Sequence, residues 1–385
     1  MQHLHQHLQN VRIPGMNGRQ QVLIEQGQIT KIGPQIHTQI QTTAPTEDWN
    51  GDWLSLGGID LQINGALGLA FPELQPETLE QLTAIGQYLW QAGVDAYCPT
   101  IVTTTIANIH RSLSLIKTYQ SQAHPPNQAR ILGLHLEGPC LNPSKRGAHP
   151  AEHLKPLTIA QMQAILGDHS DIVSIITLAP ELDPSGTVIA FLRDRGIHVS
   201  LGHSQATAAE ANAAYSQGAS LVTHAFNAMP PLHHRNPGLL GAAIVHPGVM
   251  CGFIADGQHI DRTMLQILLQ ASHYDQGLFL VSDALAPLGL PDGRYPWDDR
   301  QITVTQGTAR LADGTLSGTT LNLLQGVQNL VQWHLCDIPT AINLATIAPR
   351  RAMGQSIALL NQHAHNLLRW ASHPTHGLQW QRLTE

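Results

Sequence analysis

The run ILGLHLEGP at 131–139 is apolar until it presents His135 and Glu137, then stops at Gly138-Pro139. That is a buried parallel strand ending in a loop, with a carboxylate at its carboxyl end. The pattern recurs at LSLGGIDLQI (54–63), DAYCPTIV (95–102), DIVSIITLAP (171–180), HVSLGHS (198–204), SLVTHAFNAM (220–229), VMCGFIADG (249–257) and LFLVSDALAP (278–287). Between these runs, helical periodicity predicts helices near 76–93, 106–122, 158–167, 185–195, 207–218 and 261–272, with a long loop after 229. Eight strand–helix units over residues 56–293 predict an α/β fold of the (β/α)8 barrel type, whose chemistry sits at the strands' carboxyl ends. The repetition is one of topology; no internal repeat has a fixed period.

The flanks differ. Residues 1–55 are turn-rich with short β signals, and 294–385 hold a hairpin signal at Asp313-Gly314, two helical runs and a tail of short strands. The β pieces from both ends predict a small β-sandwich beside the barrel, made of 1–55 and 294–385. His3, His5 and His7 alternate at the start. They are open to metal binding, but a strand-edge start is the simpler reading.

Hydrophobic residues make up 42% of the chain, enough for a large core, and charged residues only 12% with a net charge of −7. No basic block points to nucleic acid, and no apolar run approaches a membrane span. The four cysteines lie far apart without C-x-x-C spacing, as in reduced cytoplasmic proteins, and the start lacks a signal peptide's charged and apolar regions.

The polar strand ends carry the chemistry. Glu137, His203 and His224 close the third, fifth and sixth runs around one mouth. One carboxylate and two imidazoles form a three-ligand set for Zn2+ that leaves a position open for water. Singly, each is as well read as a loop carboxylate or a core histidine; the joint pattern favours ligation. Asp283 closes the eighth run, as a general base or as a helix N-cap.

The whole chain, from Ile13 to Leu368, resembles the N-acetylglucosamine-6-phosphate deacetylases of the amidohydrolase superfamily. The resemblance is carried in order by GGIDLQING, GLHLEGP with KRGAH, LGHS, THAFNAMPPLHHRNPG, GFIADGQH, VSDALAP and DGTLSGTTLNLLQGVQNLV. It implies hydrolysis of the acetamide of N-acetyl-D-glucosamine 6-phosphate to D-glucosamine 6-phosphate and acetate. Glu137, His203 and His224 would then hold the metal, and Asp283 would be the general acid/base. His149 would donate to the carbonyl oxygen. Asn227, Ala228 and His259 would meet the sugar phosphate. Arg235 would reach the neighbouring subunit's substrate, so a homodimer is implied.

Many amidohydrolases end strand one in His-x-His, which holds a second metal; here the pair is Gln62-x-Asn64. Neutral amides are poor Zn2+ ligands. The resemblance is therefore to a branch with one divalent ion per subunit, Zn2+ first, with Fe2+, Co2+ and Mn2+ able to use the same ligands. Gln62 and Asn64, at a vestigial first-metal position, either hydrogen-bond near the site or terminate the strand. Where the family often has Gly-Lys before its last strand, this chain has Gln362-His363. The competing readings are an amidohydrolase acting on another N-acyl sugar or a cyclic amide, and a non-catalytic sugar-phosphate binding protein.

Overall fold

The computed structural model describes residues 5–35, 40 and 42–383. Eight parallel strands form a barrel: β1 (Gly58–Ile63), β2 (Val94–Val102), β3 (Leu134–Glu137), β4 (Val173–Leu178), β5 (His198–Leu201), β6 (Leu221–Val222), β7 (Met250–Phe253) and β8 (Leu278–Leu280). Each pairs with the next in chain order. The chain leaving β8 returns to β1. Asp283 N–H donates to the Gln62 carbonyl at 2.9 Å, and Asn64 N–H donates to the Ala284 carbonyl at 2.7 Å.

Seven helices follow the first seven strands: α1 (Gln81–Gln91), α2 (Ile106–Gln120), α3 (Ile159–Leu166), α4 (Val188–Arg193), α5 (Ala208–Gln217), α6 (Gly238–Val245) and α7 (Arg262–Ala271). Their starts follow from the sequence. Thr105, Thr158, Thr207 and Asp261 each accept a backbone N–H of the first turn, a bond worth roughly 1 kcal/mol per cap. In α2, Ile109, Leu113 and Ile116 recur at helical spacing and face the strands. The main apolar core is this layer between strands and helices.

Period-two alternation turns a second, polar set inward. His135 Nε2 meets Thr177 Oγ1 at 2.7 Å, which meets Thr223 Oγ1 at 2.6 Å, which meets Ser200 Oγ at 2.6 Å. This hydroxyl layer lies one step below the ends of the same strands.

Two elements depart from the sequence prediction. The loop expected after 229 contains α6, whose GLLGAAIV is apolar on every side and so carries no helical period. The eighth helix, α8 (Leu323–Gln332), comes only after an antiparallel sheet of Gly293–Trp297, Arg300–Thr305, Thr308–Leu311 and Leu316–Thr319. This sheet lies at the barrel mouth on its own apolar cluster of Leu285, Ile302, Val304 and Ala309, away from the chain ends. Leu285 N–H donates to the Thr319 carbonyl at 2.9 Å, and Thr319 N–H to the Asp283 carbonyl at 3.0 Å. Gly318, at φ +141°, allows the approach; a Cβ there would lie 2.6 Å from the Asp283 carbonyl oxygen.

The two chain ends do meet. Gln6–Val11, Gln20–Glu25 and Gln28–Pro34 form an antiparallel sheet extended by Thr46–Asp48. Trp53–Leu56 pairs with Leu367–His373, which pairs with Gly377–Arg382. Leu8, Val22, Trp49, Leu54 and Leu367 form one core between these sheets. α9 (Ile338–Ala352) packs this unit and α8 against the barrel. His3 lies outside the described residues; His7 is buried, its Nε2 3.1 Å from Gln21 Oε1. Among the described residues no helix is long and apolar enough to cross a membrane.

Candidate metal and catalytic site

Glu137, His203 and His224 are buried at the barrel mouth and converge. Glu137 Oε1 lies 3.0 Å from His203 Nε2 and 3.1 Å from His224 Nε2, and the two Nε2 atoms are 3.0 Å apart. His203 Nδ1 faces the Lys145 carbonyl at 2.9 Å. A carbonyl only accepts, so Nδ1 carries the proton and the neutral ring turns a bare Nε2 inward. The Glu137 carboxylate and the bare Nε2 of His203, 3.0 Å apart and each 3.0–3.1 Å from His224 Nε2, need positive charge between them. The electrostatics agree in direction. Burial alone would raise Glu137, but the two imidazoles hold it well below the usual carboxylate range. Burial alone would lower His224, but Glu137 and Asp283 hold it above its ordinary value. A divalent cation answers that demand, and the donor set suits Zn2+.

His149 also faces Glu137, with its Nε2 3.9 Å from Oε1. Glu137, His149 and His203 in fact form a group whose ligand atoms all lie within 4.8 Å of one another. The tautomer argues against His149 as a ligand. Its Nδ1 accepts from the Thr103 backbone N–H at 3.3 Å and sits 2.8 Å from the Thr103 hydroxyl. The proton of the neutral ring is therefore on Nε2, which makes His149 a donor into the site. Burial, with His203 beside it, keeps the ring neutral by pushing it down to about 3.

Asp283 is buried at the same mouth. Its Oδ1 accepts from Asn64 Nδ2 at 2.8 Å and Gln62 Nε2 at 3.2 Å, and Gln62 Nε2 also reaches Glu137 Oε2 at 3.2 Å. The two amides that stand where His-x-His could have stood thus act as hydrogen-bond donors. Burial and the charge of Glu137 raise Asp283 to about 6. Asn64 Oδ1 is buried without a partner at the same place.

The backbone carries strain here. His203, His224 and Asp283 all have positive φ, at 48°, 27° and 47°, as do Phe226 and Ala228. Non-glycine residues in this region cost about 1–3 kcal/mol each, and such outliers cluster at functional sites.

A cavity of about 260 Å3 lies over these groups. Asn227, Ala228 and His259 also line it. His259 Nδ1 bonds Asp256 Oδ2 at 2.6 Å, leaving Nε2 for a ligand. Arg235 is not among the lining residues; it sits on the exposed 231–237 loop. Sequence reasoning missed Trp297 and Leu316–Gly318 of the mouth sheet, which also line the cavity. It missed the residues that orient the imidazoles too: Thr103, Lys145 and Asp256. Of these only Asp256, three residues before His259, left a spacing to read.

An amidohydrolase family model matches residues 53–358. The N-acetylglucosamine-6-phosphate deacetylase of Homo sapiens is 38% identical over 315 residues, which is 80% of this chain and 76% of that protein. The N-acetylgalactosamine-6-phosphate deacetylase of Escherichia coli O157:H7 is 31% identical over 77% of each chain. The crystal structure of the N-acetylglucosamine-6-phosphate deacetylase from Pasteurella multocida superposes with a TM-score of 0.83 at 27% identity, covering 98% of this chain and 99% of that one.

Proposed function

The chain belongs to the amidohydrolase family, among its N-acetylglucosamine-6-phosphate deacetylases, and on that premise we propose the following division of work. The protein is an enzyme that hydrolyses the acetamide of N-acetyl-D-glucosamine 6-phosphate to D-glucosamine 6-phosphate and acetate. The observation that carries the reading is the donor triangle of Glu137, His203 and His224, faced by the Nε2–H of His149 and the carboxylate of Asp283.

Glu137, His203 and His224 would hold one divalent ion, Zn2+ by donor chemistry, with Fe2+, Co2+ or Mn2+ able to take its place. Such an ion, when bound, polarises a carbonyl and lowers the pKa of water. His149 donates from Nε2 to the amide oxygen as charge gathers there. Gln62 and Asn64 fix Oδ1 of Asp283, so Oδ2 moves the proton: it takes one from the attacking water and gives one to the leaving amine. His259 Nε2, with the backbone of Asn227 and Ala228, meets the sugar phosphate. Among the described residues, no lysine or arginine lines this cavity. The lining thus offers a phosphate dianion no guanidinium from its own chain, which supports a homodimer in which Arg235 of one subunit completes the other's site.

The test is acetate release from N-acetylglucosamine 6-phosphate by purified protein, with metal measured on the same sample. Turnover with about one ion per chain is expected. Two ions per chain would overturn the argument from Gln62 and Asn64 but keep the reaction. A filled site without turnover would overturn the substrate. N-acetylgalactosamine 6-phosphate belongs in the same assay because a relative is named for that epimer.

A further inference from the structure

Beside the catalytic cavity lies a larger chamber of about 690 Å3, against about 260 Å3 for the cavity itself. The two share Val102 and Trp297. Val102 ends β2, whereas Asn227 and His259 follow β6 and β7 across the mouth. The amide of the proposed reaction has its oxygen at His149, its nitrogen at Asp283 and its sugar toward Asn227 and His259. A secondary amide is planar and trans, so the chain on its carbonyl carbon points away from the sugar. That direction leads to β2, Val102 and the second chamber.

We propose that this chamber is an acyl subsite, and that the enzyme hydrolyses N-acyl-glucosamine 6-phosphates carrying neutral acyl chains longer than acetyl. The inference rests on the deacetylase reading. The chemistry is unchanged. The oxygen of water bonds to the acyl carbon, the C–N bond breaks, and the products are a longer carboxylate and the protonated amino sugar.

The chamber's charge sets the limit. Glu73, Glu152, Asp298 and Asp299 stand against Arg146 and Arg300. Both guanidiniums are already engaged. Arg146 Nη1 donates to the His149 carbonyl at 2.7 Å, and Arg300 pairs with Asp298 at 2.6 Å. An anionic acyl chain therefore meets net repulsion, whereas a neutral one does not.

The test compares N-acetyl, N-butanoyl, N-hexanoyl and N-succinyl glucosamine 6-phosphates. N-butanoyl is expected within about tenfold of N-acetyl in kcat/KM, and N-succinyl about tenfold or more below N-butanoyl, the gap narrowing as salt is raised. Ala151→Trp, at an exposed position on the chamber wall, should cut N-hexanoyl turnover about tenfold and leave N-acetyl unchanged. Glu152→Gln with Asp299→Asn should raise N-succinyl turnover severalfold. Calorimetric binding of the N-hexanoyl sugar to Asp283→Asn reads occupancy without turnover, and should match the N-acetyl sugar within a few fold. Chains longer than acetyl falling about a thousandfold, or Ala151→Trp slowing both acyls alike, overturns the subsite. Failure on N-acetyl itself overturns the deacetylase reading instead.

Discussion

His149 and His224 both face Glu137, but their outer nitrogens are held differently, and that difference assigns their work. Thr103 N–H occupies Nδ1 of His149 and places its proton inward, whereas Nδ1 of His224 is buried without a partner and imposes no such tautomer. His224→Ala should therefore empty the site, read by elemental analysis after dialysis. His149→Ala should keep about one ion per chain and lower kcat about 100-fold, the scale of a lost oxyanion donor. Loss of metal in His149→Ala with retention in His224→Ala would reverse the assignment and select the group of Glu137, His149 and His203. The residues that face the cavity were legible in the sequence because a strand end in a barrel is an address: Glu137, His203, His224 and Asp283 each close an apolar run. What orients them was not. Thr103 and Lys145 act through a backbone N–H and a carbonyl, which every residue type carries, so no side-chain pattern marks them.

At the scale of elements, the barrel was legible wherever an apolar strand was followed by a one-sided helix. It was illegible where periodicity fails: α6 is apolar all round, and the mouth sheet sits between β8 and its helix, with short strands resembling those of the chain ends. The seam that closes the barrel holds a consequence of its own. Asp60, fully buried on β1, accepts from Gln62 N–H at 3.3 Å and from Ser282 N–H at 3.1 Å, joining β1 to the chain after β8. Burial raises its carboxyl to about 7. A group raised in the folded state binds more protons there than in the unfolded chain. Its contribution is full below the unfolded value near 4 and is lost as pH rises through about 7, a loss on the order of a few kcal/mol. Asp60→Asn keeps an acceptor for both N–H groups and removes the titration. Urea midpoints at pH 5 and pH 8 should therefore fall less between the two pH values in Asp60→Asn than in the wild type. An equal fall in both would mean that Asp60 stays ionised in the fold.

The whole molecule is where a single chain leaves its own proposed site incomplete. The cavity offers a phosphate His259 and backbone groups but, among the described residues, no lysine or arginine, while Arg235 stands on an exposed loop outside it. If Arg235 serves the neighbouring subunit, two defective chains can repair each other. Arg235→Ala retains Asp283 but lacks the cation; Asp283→Asn supplies the cation but cannot move the proton. In a mixed dimer, the site built on the Arg235→Ala chain receives Arg235 from its partner and has both groups. Equal amounts of the two variants, dissociated and reassembled, place half of the dimers in the mixed form with one complete site each. About a quarter of the wild-type sites should then work, at wild-type KM for the phosphorylated sugar. An Arg235 acting within its own chain predicts no gain on mixing, because every site would still lack one of the two groups. The gain should appear only after subunits exchange and should saturate as they do, which separates repair across an interface from residual activity of either variant.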